Sequence, residues 1–153
     1  MDSNLLYTNS SDSLMLARNA QAQISQKELE IKLLDIHNQY TYSDPYSYSS
    51  DRMKRQTMEM EILNLKNNRD MHINNAIDYA LILAEQEMLS RNSFSMAAIA
   101  IDSISTFLSS QKLGFRISMT SYMKIAELSS KLLFSGIEYL NLKTAIEKLK
   151  FIV

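Results

Sequence analysis

The chain has 153 residues and a formal net charge of −1, with two glycines, one proline and no cysteine. That length suits one domain, or one domain with an arm, and can bury a core without covalent staples. Without cysteine there is no disulfide, thiolate nucleophile or Cys-based metal site, and three Gly and Pro residues leave little material for hairpin turns or phosphate-binding loops, so the composition argues for helices.

Residues 1–13 are polar, rich in Ser and Asn, and contain neither Lys nor Arg nor an apolar run. The expectation is a flexible N-terminus and no Sec-type signal peptide. That leaves a cytoplasmic protein, or one exported without a cleaved Sec signal.

A weak helical segment is expected over 13–24, with Leu14, Ala17, Ala20 and Ile24 on its apolar positions. The stretch Ser25-Gln-Lys-Glu28 has the form of a capping box, with Ile24 and Leu29 placed as a hydrophobic staple. It marks either a helix start or a bend in a longer run. From there Leu29, Leu33, Ile36 and Tyr40 recur at i, i+4, i+7 and i+11, one face of a helix over about 26–42.

The next stretch, Tyr40 to Tyr48, holds four of the eight tyrosines and Pro45. Proline disfavours the α conformation at Asp44, so a turn is expected over 43–50. Tyr46 and Tyr48 then either clamp the corner between two helices or present a contact surface; a minute two-stranded ribbon is a further form.

Ser50 or Asp51 is placed to cap the following helix. Met58, Ile62, Leu65, Arg69, His72, Ala76, Tyr79 and Leu83 alternate spacings of four and three, a heptad-like rhythm interrupted in character by Arg69 and His72. Asn67-Asn68 and Asn74-Asn75 are poor helix formers, so 51–91 reads as one helix of about 40 residues or as two, with Asp70 as a second cap.

Ser93 or Ser95 caps a helix carrying Met96, Ala100, Ile101, Ile104, Phe107 and Leu108, and Gly114 ends it. Thr120 or Ser121 opens another, with Tyr122, Ile125, Ala126, Leu132 and Leu133. A second capping box, Ser135-Gly-Ile-Glu138, precedes a last helix from Gly136 to about Ile152.

The fold class expected is therefore all-α: a flexible segment 1–13, a helical hairpin arm 14–66 with its turn at 43–50, and a helical bundle 67–153. Short connections favour antiparallel neighbours.

Chemistry is sparse. Leu34 and Arg69 stand three residues before His37 and His72, so the Glu-x-x-His pairs of di-iron bundles are missing, and the two histidines are too far apart for a zinc-protease helix. His72 lies on the apolar stripe and reads as a partly buried seam residue. The alternating carboxylates Glu28/Glu30, Glu59/Glu61 and Glu85/Glu87 read as solvated faces. Arg52, Lys54 and Arg55 follow the tyrosines but are flanked by Asp44, Asp51, Glu59 and Glu61, so nucleic-acid binding is not expected. No apolar run approaches the roughly 20 residues of a membrane span. No metal, cofactor or catalytic residue is expected.

Residues 1–45 carry a net charge of −3, residues 46–92 −1, and residues 93–153 +3, a mild gradient that favours head-to-tail or antiparallel self-association. Methionines are numerous, and Met53 and Met60 share one face while Met58, Ile62 and Leu65 share another. Apolar residues on two faces of an arm either exceed what a monomer of this size covers, pointing to a partner or a second copy, or are buried because the long helix breaks and folds back on its own core. The function expected is a non-enzymatic assembly, adaptor or accessory subunit that packs helix on helix, with a protein partner or a second copy of itself. The alternatives are an exported virulence-type factor or a secretion-system component or chaperone, and then a small helical enzyme. The expected partner-binding residues are Leu29, Leu33, Ile36, Tyr40, Tyr46, Tyr48, Met58, Ile62 and Leu65.

Overall fold

A computed structural model describes residues 2–40, 45–90, 94–111 and 113–153, with the side chains of 39, 40 and 45–48 left aside. The protein is all-α: α1 (Ser3–Tyr40), α2 (Pro45–Ser90), α3 (Met96–Gln111), α4 (Met119–Leu132), a 3-10 turn (Ile137–Tyr139) and α5 (Leu140–Ile152), with no strand among the described residues. Its contacts divide the chain into two compact units. One is Ala17–Arg69; the other combines Met1–Leu16 with Asp70–Val153.

In the unit Ala17–Arg69, α1 and α2 run antiparallel. Cross-helix partners fix the register: Arg55 with Asp35, Lys27 with Glu61, Lys66 with Glu28, and Arg69 with Gln21. From Arg55 to Arg69 along α2 the partner on α1 moves back from Asp35 to Gln21, which is the signature of an antiparallel pair. The apolar seam between these charges takes Ala17, Ala20, Ile24, Ile31 and Leu34 from α1, and Met58, Ile62 and Leu65 from α2. The two alanines allow close approach of the backbones. Arg69, which the heptad places in the seam, is buried there and donates from Nη1 to Gln21 Oε1 at 2.8 Å.

In the other unit α3 buries Ala97, Ala98, Ala100, Ile101, Ile104, Ser105, Phe107 and Leu108, so about half of its circumference faces protein. α5 packs on α3 and α4 through Leu142, Ala145, Ile146 and Leu149. Leu6 of α1 and Ile73, Ile77, Leu81 and Leu83 of α2 complete the core. Ser105 Oγ has no hydrogen-bond partner and its residue is fully buried. Ser105→Ala removes only that hydroxyl and is a better helix former; it is expected to raise stability by about 1 kcal/mol, a rise in melting temperature of about 2–4 °C. Thermal unfolding of the variant checks it.

Several expectations are corrected. Residues 3–13 are not a flexible segment: they form the first turns of α1, with Leu6 and Ser10 buried and Ser10 Oγ donating to Ala76 O at 2.8 Å. Ser25 does not cap a helix start, because α1 runs through it; its hydroxyl meets Gln21 Nε2. The turn expected at 43–50 does not reach beyond residue 44, since Pro45 opens α2 at the position where its missing N–H leaves no bond unmade. Of the two forms open for this stretch, one helix or two, residues 51–90 take the first: α2 runs unbroken to Ser90, and Asp70 lies inside it. The asparagines expected to weaken it include one with a compensating task, as shown below. Ser135 does not cap either; its hydroxyl donates back to Leu132 O, and a 3-10 turn precedes α5.

Candidate functional site

Two polar clusters and two kinds of apolar surface stand out once the elements are placed. The first cluster sits where α3 begins. Ser95 is the N-cap: its Oγ accepts from the N–H of Ala98 at 3.0 Å and donates to Glu87 Oε2 at 2.7 Å. Glu87 Oε1 accepts from the N–H of Ala97 at 3.1 Å. A carboxylate from α2 thus completes the cap of α3, satisfying two otherwise orphaned donors and lying against the positive end of the helix dipole. Glu87 is buried, so the expectation that Glu85 and Glu87 share a solvated face is wrong for Glu87.

The second cluster ties α2 to the start of α4. Asn74 Oδ1 accepts from the N–H of Ser118 at 2.8 Å, and its Nδ2 donates to the carbonyls of Asp70 and Arg116. Ser118 caps α4, and the Ser121 hydroxyl donates to Asp78 Oδ1. Asn74 and Asp78 are one turn apart and hold the 113–118 connection on α2. Both clusters are fully engaged in hydrogen bonds that position helix ends.

Among the described residues no group of three or more Asp, Glu or His is placed to hold a metal ion, and no helix is long and apolar enough to cross a membrane. His72 is half-buried on α2 and His37 is exposed on α1.

The expected partner-binding residues separate into three groups. Leu29, Leu33 and Ile36 are 56 %, 57 % and 51 % exposed; Leu29 and Ile36 lie opposite the seam, and Leu33 also borders a shallow groove with the seam residues Leu34 and Met58. Met58 and Ile62 are buried, and Leu65 is half-buried. That face packs against the chain's own α1. Residues 41–44 and the side chains of Tyr40, Tyr46 and Tyr48 lie outside the described part of the structure, and neither the clamp nor the contact surface is described for them; the backbone of 45–48 is helical, which rules out a ribbon there.

Two stripes of equal spacing therefore share α1. The inner one runs Leu6, Ser10, Ser13, Ala17, Ala20, Ile24, Lys27, Ile31, Leu34 and Asn38, alternating four and three without a break. The outer one runs Leu29, Leu33 and Ile36. From the sequence only the middle of the inner stripe is placed, Ala17 to Ile24; on either side Ser10, Ser13 and Lys27 separate Leu6, Ile31 and Leu34 from it. On α2, Met53, Met60 and Leu63 are also well exposed, with Met53 and Met60 opposite the seam.

Electrostatics support the pairing of α1 with α2. Hydrogen bonding to the Glu61 carboxylate, only partly offset by desolvation, holds the exposed Lys27 ammonium above the usual lysine range. A raised pKa on a cation means that the pair contributes fully at neutral pH and is lost only as the pH climbs through the lysine range.

Compared with protein-family models, with curated proteins and with solved structures, the chain has no match.

Proposed function

We propose that the chain is a non-enzymatic helical assembly subunit that associates with further copies of itself through the outer stripe of α1. The observation that carries this reading is the exposure of Leu29, Leu33 and Ile36 at heptad spacing, on a helix whose opposite stripe is already filled. A helix with apolar stripes on two opposite faces is built to be sandwiched between two others. Knobs spaced four and three along one line fit the holes of another helix better than they fit a flat or globular surface. Met53, Met60 and Leu63 extend the apolar surface of the same unit. Methionine there suits a surface that adapts to a packed neighbour.

The test is mass in solution. Light scattering of the purified chain at tens of micromolar is expected to give a multiple of 17.6 kDa. Leu33→Asp is expected to weaken association at least about tenfold, which is about 1.4 kcal/mol. Because Leu33 is exposed, the helical circular dichroism should be unchanged. A wild-type chain that stays at monomer mass, or a Leu33→Asp variant that associates as well as wild type, overturns the reading.

A further inference from the structure

The bundle unit carries a second, unrelated contact: the geometry points to a groove between α2 and α4 that receives the last turn of α5 from a second copy of the chain. The groove has a volume of about 410 Å³. Its floor is Met88, Leu89 and Leu128, and its rim is Glu85, Glu127 and Lys131. Leu89 is 87 % exposed, an unusual setting for a leucine in the final turn of a helix otherwise anchored in a core. Phe151, in the last turn of α5, is 93 % exposed. Each is an apolar group left exposed by the described residues.

Charge selects the match. The rim offers the carboxylates of Glu85 and Glu127; Glu127 is shared with Lys131 at 3.1 Å, while no ion pair of Glu85 is found among the described residues. Phe151 is flanked by the exposed ammonium groups of Lys148 and Lys150. Lys148 and Glu147 stand three and four residues before Phe151 and so share its face. Seating the ring on Leu89 and Met88 brings the two lysines to the carboxylate rim and leaves Glu147 for Lys131.

The donor of that turn is a different molecule. The Tyr139 hydroxyl donates to Met88 O at 3.0 Å, which fixes the start of α5 beside the end of α2. Phe151 is twelve residues further along, about 18 Å away by helix rise, so it lies at the far end of its own bundle unit. A patch at one end that fits a knob at the other makes a heterologous contact, which adds copies head to tail. One ring and one helix turn bury less than the roughly 1,200 Å² of a stable interface, so the contact is transient, in the high-micromolar range.

This contact shares with the preceding reading only the premise that copies of the chain meet, and it uses none of the hairpin residues. The test follows the Met88 methyl signal by NMR in the full chain as concentration rises from about 10 µM to about 1 mM, a range that brackets such weak affinities. The signal is expected to shift with concentration, and to shift less at high salt. Phe151→Ser and Leu89→Asp, both at exposed positions, should each abolish the shift while leaving the melting temperature unchanged. Labelled Phe151→Ser, whose groove is intact, should regain the shift when mixed with unlabelled Leu89→Asp, whose Phe151 is intact. In a Leu33→Asp background the shift should persist, which separates this contact from the outer stripe of α1. A Met88 signal that does not change with concentration, a shift that survives Phe151→Ser, or a mixture that fails to restore it overturns the proposal.

Discussion

Glu87→Ala is expected to lower stability by about 3 kcal/mol, because it removes a buried carboxylate that makes two charge-assisted hydrogen bonds at a helix N-terminus. Hydrogen bonds to a charged group contribute about 1.5–3 kcal/mol, and an anion at the dipole's positive end adds about 0.3–1 kcal/mol. The substitution also leaves the Ala97 N–H without its acceptor and the Ser95 hydroxyl without the group it donates to, so desolvation of both counts against the folded state. Glu87→Gln keeps one oxygen acceptor and the side-chain volume, so about half the loss is expected. Glu85→Ala, two residues away on the half-buried groove rim, should fall within about 0.5 kcal/mol of wild type. Urea unfolding of the three variants checks the ordering, with a constant m-value showing that the comparison reflects stability. A Glu87→Ala loss below 1 kcal/mol would mean that Ser95 alone suffices to start α3.

Glu87 also shows where reading the sequence stops. Carboxylates spaced by two along a helix point in different directions, and which of them meets solvent depends on where another helix begins in space. Nothing in the neighbouring residues carries that information. Asn74 is similar. Its intrinsic cost in a helix, about 0.7 kcal/mol at most, predicts a weak point. Its three hydrogen bonds, to the connection before α4 and to the preceding turn, outweigh that cost.

The fold class was legible because the scarcity of Gly and Pro and the long 3.6-residue periodicities point the same way. The stripe of α2 was legible too, since Met58, Ile62 and Leu65 are large and apolar, but its spacing alone assigned it to a partner and not to α1. The seam of α1 was less so. Ser10, Ser13, Ala17 and Ala20 are small residues that let helices approach closely, and a search for Leu and Ile passes over most of them. Reading instead settled on Leu29, Leu33 and Ile36, which have the right spacing and face outward. Spacing reveals a stripe; only the partner helix reveals which of two stripes it covers. The capping-box pattern at Ser25 failed for a related reason: its four residues are as compatible with the middle of a helix as with its start, and the inner stripe running through it keeps α1 continuous.

The largest effect expected of any truncation considered is that of Ile104→Ala, about 3–4 kcal/mol, because this side chain is fully buried on a helix that packs on α5. Full burial of an isoleucine contributes about 1.5–3 kcal/mol by area alone, and the cavity left behind adds to the loss where neighbours cannot collapse into it. At Ile104 collapse is resisted from several sides, since α5 packs on α3 and the neighbouring positions Ile101, Phe107 and Leu108 are themselves buried. Ile99→Ala, on the same helix, is the internal control. Ile99 is 44 % exposed, and alanine is the better helix former, so a change within about 1 kcal/mol is expected. For a chain of this length the Ile104 loss corresponds to a fall of about 10 °C in melting temperature. Against a typical total of about 5–15 kcal/mol, it removes a large fraction of the stability at a single site. Calorimetry on both variants checks it: a loss at Ile104 no larger than that at Ile99 would mean that Ile104 is not part of the core.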